Sequence, residues 1–460
     1  MTDGSGGSGG SGGTQVALQA GYGVVDITPP PGVDLTGFIA REGPCVGTLD
    51  PLHARALVFR DGRGRRAALV TCDLIGLGRH LVARVRRRVA EATGIPAAAQ
   101  LFACSHTHAG PETGVLSTIG IPDPSYLAEL EQRLVEVILA ADGALVPVRL
   151  GLAATEVPDG LVVNRVYRRV GRPHAVDRQL TVVSLERAGD PAGARPLATI
   201  VAFACHAVAL GATERHASAD FVAHLRRELE GRDSGPVLYV NGCGGDINPA
   251  GMDARGRDTC AALGEGLARA AATALEAARE GRAPDSPAVV ETAQEWVPLP
   301  FQPLRDVPAV SAILREGRRG LAELPPGSPR YRATQVTEVE YALRLLRLHY
   351  GSEVVPEVRA EVQAIGVGAF ALVALPGEIF SGLGQAIKRA APWPAPRTLL
   401  AGWANDNVGY IPDREAYALG GYEVDLASRY YGYPAGWAPE AGEALVAAAG
   451  RVLDRVARGS

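Results

Sequence analysis

No apolar stretch in this 460-residue chain approaches the roughly 20 residues that cross a bilayer, so no transmembrane helix is expected. Nor does a charged n-region followed by an apolar h-region open it; the expected location is cytoplasmic, with secretion left open if a leader was removed. Charge of one sign is lacking as well. With 46 basic and 50 acidic residues the net charge is −4 and the pI about 6.2, which gives no long-range pull toward nucleic acid or an anionic membrane. The six cysteines (Cys45, Cys72, Cys104, Cys205, Cys243, Cys260) form neither a CxxC pair nor a dense framework, and this excludes a cysteine-built metal site. Cys72, Cys104 and Cys205 lie inside apolar runs and read as small buried hydrophobes in a reducing compartment. There is no internal repeat and no break in composition that forces a second domain.

What is present is an ordinary soluble composition, 47% hydrophobic and 21% charged, with enough chain for a substantial core. Residues 1–14 are a Gly/Ser tract that reads as an engineered linker. Residues 15–460 read as one large α/β domain with mixed β-sheets flanked by helices. Gln15 to Ile27 alternates like a strand; Ala54–Phe59 and Arg66–Cys72 form a pair turned at Asp61-Gly62. A helix from Leu81 to Thr93, a short strand from Leu101 to Cys104 and an amphipathic helix from Tyr126 to Ala141 follow. Strands at Leu180–Leu185 and Ala198–Phe203 precede a helix from Ala219 to Glu230, capped by Ser218, then a strand at Val237–Val240 and an alanine-rich helix from Asp258 to Glu280. About 303–351 has the pattern of an inserted helical hairpin turned at Pro325-Pro326-Gly327; Glu361–Leu375 returns as strands, Glu378–Ala391 as a helix and Trp403–Tyr422 as a loop.

Three strand ends carry chemistry. Ser105-His106-Thr107-His108-Ala109-Gly110-Pro111 closes one apolar run, and two imidazoles at i and i+2 on extended backbone share a side. His206 closes Phe203-Ala204-Cys205, and Glu378 follows Leu375-Pro376-Gly377. Each alone has a structural reading, as a core histidine or a carboxylate at a helix N-terminus. Together, nitrogen and oxygen donors at three strand ends are how a catalytic zinc site with an open position is built. The loop Asn241-Gly242-Cys243-Gly244-Gly245-Asp246-Ile247-Asn248-Pro249 is either a glycine-dependent turn or a cradle whose Asp246 or Asn248 bonds a water. It is no P-loop, because no Gly-Lys-Ser/Thr follows.

The ordered set Val25-Asp26-Ile27-Thr28-Pro29, Ser105–Pro111, Phe203–His206, Gly245–Pro249, Pro376-Gly377-Glu378 and Asn405 through Tyr410-Ile411-Pro412 to Glu423 resembles the catalytic domain of neutral (non-lysosomal) ceramidases, over residues 16 to about 430. The resemblance implies a zinc-dependent amidase whose ligands fall on His106, His206, Glu378 and Tyr410. It further implies His108 beside the metal or the transition state, and Asp246 as an orienting carboxylate. Two departures bear on substrate. Asn248 stands where the family has a serine treated as catalytic, and the chain stops at Ser460, without the C-terminal β-sandwich that accompanies ceramidases.

Asn248 cannot be a nucleophile but can hold water or the amide carbonyl. The expected function is thus hydrolysis of an N-acyl amide, on a small or lipid-like substrate that need not be ceramide, by metal-activated water. The alternatives are a zinc hydrolase of esters, lactones or phosphoesters, and an inactive zinc-containing binding module. Among the remaining residues, Asp73 reads as a helix N-cap, Asn164-Arg165 as a loop able to bind an anion, and Ser218-x-Asp220 as a helix start. Cys243 is a weaker nucleophile candidate. His53, His80, His174, His216, His224 and His349 show no partner pattern.

Overall fold

The computed structural model describes residues 18–459 apart from 117, 173–175, 282–288 and 394–395. The linker at 1–14, the first residues of the expected opening strand and His174 lie outside the described residues.

Eight strands make the principal sheet: β1 (Gln19–Asp26), β2 (His53–Arg60), β3 (Arg66–Cys72), β4 (Gln100–Cys104), β5 (Val146–Glu156), β6 (Gln179–Arg187), β7 (Ala198–Phe203) and β8 (Val237–Asn241). Their order is β8-β7-β6-β5-β1-β2-β3-β4. The middle is an antiparallel meander, whereas β3–β4 at one edge and β7–β8 at the other are parallel pairs. Parallel neighbours need a crossover, and helices Arg79–Thr93 and Phe221–Glu230 supply them. The residues of β4, β7 and β8 are all buried, as continuous apolar runs covered on both faces should be. Helix Arg79–Thr93 buries Leu81, Val82, Val85, Arg86 and Val89 along one stripe, and Gly94, at φ 78°, ends it in the left-handed conformation that glycine tolerates.

A second sheet contains β9 (Val290–Pro298), β10 (Arg359–Val367), β11 (Phe370–Ala374) and, beyond the two-residue strand β12 (Glu378–Ile379), β13 (Thr398–Ala401), in the order β9-β10-β11-β13. β12 pairs in parallel with β14 (Tyr410–Ile411), which sets Glu378 beside Tyr410. Helix Glu440–Gly459 covers this sheet with Leu445, Val452, Leu453 and Val456. Between β9 and β10 run helices Val307–Glu323, Pro329–Thr334 and Tyr341–His349, the last two joined by a wider π-helical stretch, Gln335–Glu340. Among the described residues no helix is long and apolar enough to cross a membrane.

If flat, the principal sheet would hold its edges roughly 34 Å apart at about 4.8 Å per strand. Twist and coiling instead bring β4 and β8 together, and the chain leaving β13 stitches them. Gly402 N donates to Asn241 O at 2.9 Å, while Cys104 N donates to Trp403 O at 3.3 Å and Asn405 N to Phe102 O at 2.8 Å. The Asn405 side chain accepts from Phe102 N at 2.9 Å. Arg86 ties the two sheets through a buried fork, with Nη1 at 3.0 and 2.8 Å from the two Glu361 oxygens.

Four expectations need correction. The helix after His206 begins at Phe221 and is capped by Asp220, which accepts from Phe221 N at 2.7 Å; Ser218 Oγ donates to Asp50 and accepts from Asp220 N at 3.0 Å, one residue short of the helix. Glu378 belongs to β12, not to a helix, since its N–H donates to Gly409 O at 2.9 Å; the helix starts at Ser381. Asp73 caps nothing: its Oδ2 accepts from His53 N at 2.9 Å and Arg226 Nη1 at 2.5 Å, and the cap position is Gly78. The Trp403–Tyr422 segment holds β14 and helix Arg414–Leu419 as well as loop.

Removing one partner of a buried ion pair strands the other charge, at about 3–5 kcal/mol. Glu361→Ala should therefore lower the denaturation midpoint in urea sharply, and adding Arg86→Met should recover much of the loss; equal midpoints for the single and double variants would contradict this.

Candidate functional site

Asn241, fully buried at the end of β8, fixes the two histidine segments relative to each other. Its Nδ2 donates to Ser105 O and to Cys205 O, both at 2.8 Å, and its Oδ1 accepts from Cys205 N at 3.0 Å. The residues that follow are His106 and His206. His106 is not extended, as the i, i+2 reading assumed, but left-handed at φ 63°; the turn still leaves the His106 and His108 rings 4.8 Å apart between centroids.

The Nδ1 atoms of His106 and His206 contact the carbonyl oxygens of Ile75 and Gly244, each at 2.7 Å. A carbonyl only accepts, so both rings carry their proton on Nδ1 and present a lone pair at Nε2. These lone pairs face the Glu378 carboxylate, which only accepts, and lie beside the Tyr410 hydroxyl and the His108 ring, which can donate to them. His206 Nε2 lies 2.9 Å from Glu378 Oε2 and 3.3 Å from Tyr410 Oη, and His106 Nε2 lies 3.4 Å from the same Glu378 oxygen and 3.1 Å from His108 Nε2. The ligand nitrogens of His106, His108 and His206 all lie within 4.8 Å of one another and could hold a metal ion.

Burial, reinforced by the Arg165 charge, lowers the His206 pKa to about 4, so that ring is neutral near pH 7. A neutral imidazole lone pair facing a carboxylate in a dry site is repulsive until a cation stands between them. The donor set therefore fits a divalent metal ion.

Around the donors stand residues of unequal visibility in the sequence. Tyr431 Oη donates to Glu378 Oε1. Trp403, left-handed at φ 48°, stacks on His106 at 4.4 Å and 19°. Arg165, expected in a loop able to bind an anion, is part-buried and engaged inside the protein. It donates to Tyr410 Oη at 2.9 Å, Asn248 Oδ1 at 2.9 Å, Gly245 O at 2.8 Å and Glu423 Oε1 at 2.8 Å. It starts a short helix capped by Asn164, so the pair is not a loop, and nothing in its local pattern distinguishes it from the chain's other arginines.

Asp246 has both oxygens spent. Ser381 N reaches Oδ1 at 2.7 Å, and Ser381 Oγ and Asn164 Nδ2 reach Oδ2 at 2.9 and 2.5 Å; burial raises its pKa to about 6. Its backbone oxygen accepts from Arg165 N at 2.9 Å, so the residue braces the arginine.

His108 sits at the opening. Its ring lies 4.9 Å from Phe38, and its Nδ1 is buried without a hydrogen-bond partner. Gly37 makes room for it: a Cβ there would stand 2.5 Å from that nitrogen, at a φ of 95° that other residues rarely adopt. Cys243 is buried and its thiol pKa is pushed up by burial, which removes it as a nucleophile. His216 and His349 lie apart, on Glu214 and on the Arg305 carbonyl, and His224 contacts Arg227.

No protein-family model and no curated protein matches the sequence. Solved structures that share the fold include two ceramidases. A neutral ceramidase from Pseudomonas aeruginosa superposes with a TM-score of 0.70 at 17% identity, covering 96% of this chain and 75% of that one. A ceramidase complexed with C2 gives 0.72 at 17% identity, with 96% and 76% covered. The resemblance seen in the ordered motifs thus holds at the level of the fold: this chain has the neutral ceramidase fold.

Asn241→Asp keeps the shape and one acceptor but sets a carboxylate oxygen against two carbonyls. Each unmet buried polar group costs about 1–3 kcal/mol, so the variant should melt several degrees lower and exchange the amides of Ser105 and Cys205 faster; unchanged protection at both would show that Asn241 does not hold the segments.

Proposed function

We propose that this protein is a zinc-dependent hydrolase that cleaves a linear N-acyl amide on a small or lipid-like substrate, with His106, His206, Glu378 and Tyr410 holding the metal. The observation that carries this reading is the convergence of two imidazole lone pairs, a carboxylate and a phenol oxygen, with His206 Nε2 as their common neighbour at 2.9 Å from Glu378 and 3.3 Å from Tyr410. Bound there, zinc supplies a Lewis acid and brings the pKa of its water to about 7.

The protein's own groups then divide the remaining work. Ile75 and Gly244 carbonyls hold both imidazoles in the ligating tautomer. Arg165 stays protonated: burial opposes its charge, but Tyr410, Glu423 and Glu378 more than offset that. Its guanidinium fixes Tyr410 Oη and is a preorganised cation for negative charge developing on the substrate oxygen. His108, whose ring no carbonyl ties, is placed to carry a proton from the attacking water to the leaving amine. Asn248 takes the place of the serine in the resembling motif. Its Oδ1 is committed to Arg165, which leaves its NH2 to donate to the substrate and makes water the attacking species.

The ceramidase fold supports an amide over an ester or phosphoester, and six buried free cysteines support a reducing, cytoplasmic setting. The nearly balanced charge leaves nucleic acid out of this reading.

Protein purified without added metal should carry about one zinc per chain by mass spectrometry, the stoichiometry of a mononuclear site. His106→Ala should lose it together with turnover of N-acyl substrates, by ~10³-fold or more, the scale of several kcal/mol; turnover that survives loss of zinc would end the proposal. Arg165→Met should keep zinc yet lower kcat about 10²–10³-fold, the cost of removing one preorganised donor. A panel of matched esters, amides and phosphoesters ranked by kcat/KM decides the bond.

A further inference from the structure

One guanidinium at the opening of this site has no internal partner. Arg255 lies seven residues beyond Asn248, and its stem runs past Gly211, where an added Cβ would meet it at 3.6 Å. Its Cζ stands 5.3 Å from the Phe38 ring centroid. Among the described residues no hydrogen bond or ion pair reaches this side chain, in contrast to Arg165, which is fully engaged. The carboxylates in its neighbourhood are already committed. Asp220 accepts backbone N–H groups from Ala209, Leu210 and Phe221 at 3.2, 2.8 and 2.7 Å, and Glu214 holds Arg257 and His216.

A second cation shares the same ring. Arg41 Cζ lies 5.4 Å from the Phe38 centroid, and Arg41 is buried, bonded to the carbonyls of Thr36, His108 and Glu214 at 2.7, 2.6 and 3.1 Å with no carboxylate on it. Phe38 therefore packs against His108 while carrying two guanidinium groups that have no ion pair among the described residues; the opposing charges they feel are those of Asp220 on Arg255 and Glu214 on Arg41, both carboxylates bonded elsewhere. Phe38 and Arg41 also line a cavity of about 310 Å³, together with Leu35, Ile119 and Val336; Asp34, also in its wall, accepts from Ile121 N at 2.9 Å. Two guanidinium groups without an ion pair beside one aromatic ring favour the approach of an anion.

Resting on the hydrolase reading above, we infer that Arg255, with Arg41 and Phe38, receives a carboxylate of the substrate carried a few bonds from the scissile amide, so that the substrate class is N-acyl amino acids rather than neutral N-acyl amines. Arg255 is then a specificity residue: it touches the substrate's charge and leaves the reacting atoms to the histidine cluster.

The test compares N-octanoylglycine with its uncharged counterpart N-octanoylglycinamide, on the zinc-loaded enzyme and its Arg255→Gln and Arg255→Glu variants. The wild type should prefer the carboxylate by about 10–100-fold in kcat/KM, the scale of one charge-assisted hydrogen bond. Arg255→Gln should bring the ratio close to one, and Arg255→Glu should reverse it. Equal kcat/KM values in the wild type, or a preference that survives Arg255→Gln, would overturn the inference. Equilibrium binding of the corresponding ketone isosteres, with a methylene in place of the amide N–H, reads the subsite without turnover. Selective binding of the anionic ketone with neither amide hydrolysed would sink the hydrolase reading and keep the anion site; hydrolysis of both amides without selectivity would do the reverse.

Discussion

The site depends on Asn241. One buried side chain bonds the peptide groups that precede His106 and His206, two histidines a hundred residues apart, and its backbone carbonyl takes Gly402 N just before the Trp403 ring stacks on His106. A carboxamide is the one small side chain with two donors and an acceptor in a plane, and here two carbonyls and an amide N–H lie where it can meet them. Without that tie the edges of an eight-stranded sheet have no reason to keep a common register, because β4 and β8 share no ladder. The stitch from Gly402 to Asn405 closes the same seam from the second sheet, so the imidazoles are held by hydrogen bonds between layers rather than by one element.

This closure places backbone in uncommon conformations at the site. His106, Trp403 and Asn405 are left-handed without being glycine, at φ 63°, 48° and 65°. Each such residue costs of order 1 kcal/mol and persists only when its surroundings over-determine it. The surroundings do so here: His106 is fixed by Ile75 O and Leu74 O, Asn405 by Phe102 and Gln363, and Trp403 by backbone bonds to Cys104 and Gly377. Strain is thus gathered at the point where the His106 and His206 Nε2 atoms face the Glu378 carboxylate.

The fully buried strands were legible because they are continuous apolar runs, and the three donor-bearing ends because each run stops at a polar residue; Val146–Glu156 and Val290–Pro298, mostly half-buried, carry no such run and were not read. Helix starts were less so. Ser218 and Asp220 are both good caps, and only the position of Asp50 decides between them. Glu378 looked helical because a helix does begin three residues later; its pairing with Tyr410 is a tertiary fact that local pattern does not carry. Asp73 looked like a cap for want of any sign of Arg226, which comes from a helix more than a hundred residues on. The partners of Arg165 and the stacking of Trp403 escaped for the same reason: both are set by what folds against them.

The arginines at the site separate two electrostatic tasks. Arg165 is surrounded by oxygen atoms, bonded through all three nitrogens, and held from behind by Asp246 through Asn164 and its own N–H. A cation so satisfied cannot reorganise, which is the condition for stabilising charge that develops during a reaction. Arg255 has the opposite character, exposed on a loop with its charge unmatched. A cation of that kind gains most from a charge that arrives with the substrate, and it acts on association more than on the bond-breaking step. Phe38 lies between the two, one contact from His108 and one from Arg255, so on the proposed reading this ring sets how far a substrate's charge would stand from its reacting carbonyl.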